Sequence, residues 1–111
     1  MQDFRDCLTH KLARVTIAEF LPGKFEEAQR LYQEAVDTYR EGFCGAYLLR
    51  EQGSDRGISV ILWDDEAAMA AHETAVHQAI LNQMAPLFAS RPENREYEVV
   101  SEVVPSEVVA S

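Results

Sequence analysis

The chain predicts an α+β fold, a four-stranded antiparallel sheet with its helices on one face. Three observations carry this expectation. A strongly amphipathic helical run at 24–40 separates two strand-like segments. The segments "GFCGAYLLREQ" and "ISVILW" flank the turn-rich "GSDRG" and so form a hairpin. A second helical run at 66–89 then precedes a last strand, "REYEVVSEVV".

The elements follow in order. Phe4, Leu8 and Leu12 recur at helical spacing, which suggests a short helix in an N-terminal extension over residues 1–12. "ARVTIAEF" (13–20) reads as a strand, with Val15 and Ile17 on one face and Thr16, Ala18 and Phe20 on the other. "LPGK" breaks it. From Lys24 to Arg40 an apolar stripe of Phe25, Ala28, Tyr32, Ala35, Val36 and Tyr39 faces away from Glu26, Glu27, Arg30, Glu34 and Asp37. Arg40 suits the last turn, and Gly42 is expected as a left-handed stop. Strands are expected at 42–52 and 58–63. Asp64 or Asp65 caps the second helix, which Pro86 should bend or end. A strand over 95–104 closes the domain (13–104), and 105–111 forms a flexible tail. The order β-α-β-β-α-β is the split βαβ arrangement of ferredoxin-like domains.

A sheet covered by helices on one face should alternate between apolar and polar residues. Here Ile58, Val60 and Leu62 oppose Ser59, Ile61 and Trp63, and both sets are mainly apolar. "YEVVSEVV" is two-sided in the same way. An apolar sheet face left in water marks an interaction surface, so a homodimer through the sheets is expected. A cavity between the facing sheets, on the side of Ser59, Ile61 and Trp63, would hold a small-molecule ligand.

Composition narrows the function. A formal charge of −9, with basic residues scattered singly, argues against nucleic acid and against anionic membranes as partners. The longest apolar stretch, around "ISVILW", is too short to cross a bilayer. The N-terminal residues place no basic region before an apolar run, so a cytoplasmic location is expected. Cys7 and Cys44 have no zinc or CxxC spacing, and Cys44 is expected as a small buried hydrophobe.

The candidate chemistry gathers at the junction "WDDEAAMAAHETAVH". GxGxxG, GxxxxGK[ST] and HExxH motifs are absent. His72 and His77, five apart, diverge by about 140° on a continuous helix. They make no metal site unless a break reunites them, and none is expected. Trp63 ends a strand with its indole N–H available to an oxyanion or a flat aromatic ligand. His72 is suited to exchange a proton with that ligand. His77 and Ser59 are secondary candidates, and Tyr32, Tyr39 and Tyr47 are expected to pack.

"LPGK", "GFCGAYLLR", "WDDEAAMAAHETAVH" and "APLFA" followed by "YEVV" together resemble the antibiotic-biosynthesis-monooxygenase-like (quinol monooxygenase-type) family. The likeness runs over residues 13–103. It implies a dimeric α/β barrel and, in several members, oxygenation of phenols or quinols without metal or flavin, hence no cofactor. It also implies a site at Trp63, His72 and His77. The chain departs from polyketide-oxidising members, having Ser59, Met69 and Gln83 where they have Asn, Tyr and Arg. It also departs from haem-degrading relatives, with His72 and Asn82 where they have Trp and His. The reading is a cofactor-independent monooxygenase of a small phenolic or quinol-like compound. The alternatives are a non-oxidative isomerase of a small carbonyl compound and a non-catalytic binding dimer.

Overall fold

Eight segments of regular structure follow from these patterns in a computed structural model that describes residues 11–72, 74–103 and 105. They are β1 (Leu12–Glu19), α1 (Phe25–Val36), β2 (Phe43–Arg50), β3 (Arg56–Trp63), α2 (Glu66–Ala71), α3 (Ala75–Met84), a 3-10 turn (Ala85–Leu87) and β4 (Glu93–Glu98). The sheet order is β2-β3-β1-β4 and every pairing is antiparallel. Non-neighbouring β1 and β2 are therefore parallel across β3, as in the ferredoxin-like fold. The N-terminal helix expected over residues 1–12 falls outside the described residues apart from Lys11 and Leu12, and Leu12 already belongs to β1.

Helix α1 buries Phe25, Ala28, Leu31 and Ala35 against the sheet. Leu31, absent from the predicted stripe, is with Ala28 its most deeply packed residue at 1% exposure, while Tyr32 at the next position is only half-buried. The helix ends four residues before the predicted Arg40. Thr38 turns back on it, its hydroxyl donating to Ala35 O (2.6 Å) while the Asp37 N–H donates to Gln33 O (2.9 Å). Gly42 has the predicted positive φ, +80°, but not as the helix stop. It carries the chain under α2, where its carbonyl accepts from the Asp64 N–H at 2.7 Å.

A Cβ on Gly42 would stand 2.3 Å from Ala68 Cβ and would sit on left-handed backbone. Gly42→Ala is therefore expected to cost at least about 2 kcal/mol, from the left-handed penalty and the forced displacement of α2 together. A urea midpoint no lower than wild type would contradict this.

The second helical run divides earlier than Pro86 suggests. Asp65 caps α2 by accepting from the Ala68 N–H at 2.8 Å. Thr74 then caps α3, its Oγ1 accepting from the His77 N–H at 3.2 Å. The division between α2 and α3 thus comes with a second cap, Thr74, inside the apolar run. Pro86 stands at the start of the 3-10 turn, where its missing N–H costs nothing. The last strand is also shorter and earlier than expected, 93–98 instead of 95–104. One further link, from the Val99 N–H to Lys11 O (3.0 Å), follows it, and beyond that Val100 and Val103 are 75% and 89% exposed.

Two apolar clusters form beneath the helices. One joins Ala18, Phe20, Phe25, Ala28, Leu31 and Ala35 to Ile80, Met84 and Leu87. The other consists of Tyr39, Trp63 and Met69. On the opposite sheet face the register aligns Tyr47, Val60 and Val15 in one row and Leu49, Ile58 and Ile17 in the next. Tyr47, Leu49, Ile58 and Tyr97 are 61%, 49%, 38% and 49% exposed there. Among the described residues nothing covers these apolar side chains.

Candidate functional site

Strand alternation puts Arg14, Thr16, Ala18 and Phe20 on the same side of β1, and Thr16 stands directly opposite Ser59 of β3. Gly57, Ser59, Ile61 and Trp63 therefore continue the same surface. It is the floor of a cavity of about 330 Å³ whose roof comes from α1, α2 and α3. This corrects the predicted location. The Ser59–Ile61–Trp63 face is turned towards the protomer's own helices, and the cavity lies between sheet and helices. Both faces of β3 are apolar, so polarity could not tell which one the helices cover.

The inner end of the cavity is an aromatic cluster around Tyr39. Its ring lies 4.8 Å from Trp63, 5.6 Å from His72, 5.4 Å from His77 and 5.4 Å from Phe43. Trp63 is 2% exposed, and His72 lies 4.8 Å from it at 32°. The division of this run into α2 and α3 brings both histidines to one tyrosine, which a continuous helix would not.

Their nitrogens have different duties. His72 Nε2 accepts from the Arg40 backbone N–H at 2.9 Å, so Nδ1 carries the proton and donates to Ala68 O at 2.8 Å. Both ring nitrogens are thereby used in tying the end of α2 to the turn after α1. His77 lines the cavity, and its Nε2 shares a 2.8 Å hydrogen bond with Tyr39 Oη. Trp63 Nε1 makes no hydrogen bond among the described residues. Since no buried side-chain N or O there lacks a partner, this N–H is not sealed off, and the Trp63 ring lines the cavity. Ser59 interacts with the Tyr32 hydroxyl, which donates to Tyr47 O at 3.1 Å.

Burial pushes the Tyr39 phenol from 10.0 up to about 12, with Tyr32 adding to the rise and Arg14 opposing it. The phenol thus stays protonated while an unfolded tyrosine ionises. Its contribution to stability is complete below pH 10 and falls as pH rises towards about 12. Wild type should therefore lose stability faster than Tyr39→Phe over that window, and a phenolate absorbance step near pH 12 should vanish in the variant. Parallel curves would refute the shift. Burial also raises the Tyr32 phenol, against the opposing effect of its Ser59 contact.

Cys44 departs from expectation. It is exposed at the irregularity between Phe43 and Gly45, and its thiol donates to Asp64 Oδ1 at 3.0 Å. Partial desolvation, with Asp64 adding to it, holds the thiol at about 11. Cys7 lies outside the described residues. Among the described residues no three His, Cys, Asp or Glu side chains stand together as a metal-ligand group, and no helix is long and apolar enough to cross a membrane.

Among the cavity residues not read as site residues from the sequence are Arg14, Thr16, Tyr39 and Asn94. The first two share β1's even positions with Ala18 and Phe20. An antiparallel partner for that strand would have aligned them with Ile61 and Ser59.

The model of the antibiotic biosynthesis monooxygenase family matches residues 12–79, more than half of the chain. A search of curated proteins finds no match. Among solved structures, SnoaB, a cofactor-independent oxygenase from Streptomyces nogalater, superposes with a TM-score of 0.73 at 16% identity, over 87% of this chain and 99% of that one. A proposed antibiotic biosynthesis monooxygenase from Caulobacter crescentus gives 0.75 at 18% identity, over 85% and 93%. A protein of unknown function from Nitrosomonas europaea gives 0.69 at 24%, over 89% and 97%. At these identities the structural likeness speaks for the fold.

Proposed function

Because the chain belongs to the antibiotic biosynthesis monooxygenase family, we propose that it is a cofactor-independent monooxygenase of a small phenol or quinol bound in this cavity. The observation that carries the reading is Trp63, whose N–H has no partner among the described residues, lining a mainly apolar chamber beside the Tyr39–His77 pair. In such surroundings a substrate oxyanion is poorly solvated, and a fixed donor is worth more than in water. The substrate hydroxyl passes its proton to His77, directly or through the Tyr39 hydroxyl. The resulting anion, held by the indole N–H, is the electron donor to O₂. The balance closes without another reductant, since a quinol and O₂ give a hydroxyquinone and water. One oxygen atom enters the product, the other leaves as water, and the substrate supplies all four electrons.

In this scheme His72 is a positioning residue. It stacks on Trp63 and is itself fixed at both nitrogens. Ser59 lies on the floor as a further polar contact. Labelled O₂ tests the reaction class. One labelled atom per product molecule is expected, and product labelled only from water would contradict oxygenation.

The apolar residues exposed on the sheet face away from the helices, Tyr47, Leu49, Ile58 and Tyr97, support a homodimer formed through the sheets. Val60 is at the middle of the central row, between Tyr47 and Val15. Val60→Lys is expected to convert the dimer into a folded monomer, because a lysine at a sheet-to-sheet contact would bury its charge. Sedimentation velocity reads this directly, and an unchanged sedimentation coefficient would argue against that face as the interface.

A further inference from the structure

The cavity floor has a second polar feature, far from Trp63. Thr16 is the register partner of both Ser59 on β3 and Asn94 on β4. The three residues therefore form a polar row across three strands of a floor whose other members, Arg14 apart, are mainly apolar, and all of them line the cavity. Tyr32 continues the row from above through its contact with Ser59. The Thr16 hydroxyl donates to Asn94 Oδ1 at 2.7 Å. That bond fixes the carboxamide, and its NH₂ has no hydrogen bond among the described residues. Asn94 is exposed, at the outer end of the row on the edge strand.

Trp63 is the register partner of Leu12, four residues along β1 from Thr16. At about 3.3 Å per residue the two polar ends lie about 13 Å apart along the strands. We infer that the Thr16–Asn94 pair is a second ligand anchor that sets substrate length: Asn94 donates from its NH₂ to an oxygen at the far end of an elongated aromatic ligand, and Thr16 positions it. This rests on the cavity being the aromatic-ligand site proposed above. A ligand with one oxygen function satisfies the Trp63 end alone. A ligand with oxygens at both ends satisfies both.

The chain has a single tryptophan, so Trp63 emission reports occupancy of the cavity. Two probes that are already oxidised and do not turn over are titrated against it, 2,6-dihydroxyanthraquinone and 2-hydroxyanthraquinone. Wild type is expected to bind the two-ended probe at least tenfold tighter. Asn94→Ala and Thr16→Val should each remove that preference and leave the affinity for the one-ended probe unchanged, while Thr16→Ser, which keeps the hydroxyl, should retain it. Equal affinities in wild type, or a preference that survives both Asn94→Ala and Thr16→Val, would overturn the inference and leave the cavity's role intact. If neither probe quenches Trp63, the aromatic-ligand reading of the cavity fails and this inference with it.

Discussion

Trp63→Ala should destabilise the fold by about 3–5 kcal/mol, a large part of the 5–15 kcal/mol by which domains of this kind are stable. The indole is 2% exposed and contacts Tyr39 and Phe43 edge-on and His72 at 32°, so its removal deprives three rings of their common neighbour. Collapse cannot heal the gap easily. Tyr39 is held by its hydrogen bond to His77, and His72 is tied at both nitrogens. The loss is read as a lowered urea midpoint at unchanged slope. Trp63→Phe, which retains a ring and deletes the N–H, should cost much less, so the pair separates packing from donation. An alanine variant within about 1 kcal/mol of wild type would show that this cluster does not hold the inner end of the cavity.

His77→Gln is expected to lower kcat by about 10²–10⁴ with little change in KM. Glutamine keeps a polar group for Tyr39 but cannot accept the substrate proton at neutral pH. Tyr39 cannot replace it as base, because burial holds its own proton up to about 12. A proton passed along the Tyr39 hydroxyl must therefore end on the imidazole. A loss confined to KM would instead make His77 a binding group. His72→Gln should act differently, by loosening the Arg40 and Ala68 ties.

The sequence made some of this legible for definite physical reasons. Helix α1 and the β2–β3 hairpin follow from periods and turn residues that tertiary contacts have no cause to override. The two-sided strands leave Tyr47, Leu49 and Ile58 exposed on the face away from the helices. They could not say which face the helices cover, because Ser59, Ile61 and Trp63 are hardly more polar than Ile58, Val60 and Leu62. Trp63, which lines the cavity, is legible because a lone tryptophan at a strand end is conspicuous. Tyr39 was missed because it reads as one more stripe residue of a helix that ends three residues earlier. The division of labour between the histidines depends on Thr74, a capping residue placed inside a run whose period continues through it. No local pattern shows that His72 would be taken up by a backbone N–H 32 residues away.

The central claim is that the cavity oxidises its ligand with O₂ alone, and oxygen uptake by metal-free protein tests it most directly. Across a panel of quinols and anthrone-type phenols, the account predicts uptake above the protein-free rate with no added cofactor, reduced at least tenfold in Trp63→Phe and further in His77→Gln. A tenfold loss corresponds to about 1.4 kcal/mol of transition-state stabilisation. Uptake no faster than the protein-free control with every substrate, or equal in wild type and both variants, would contradict it.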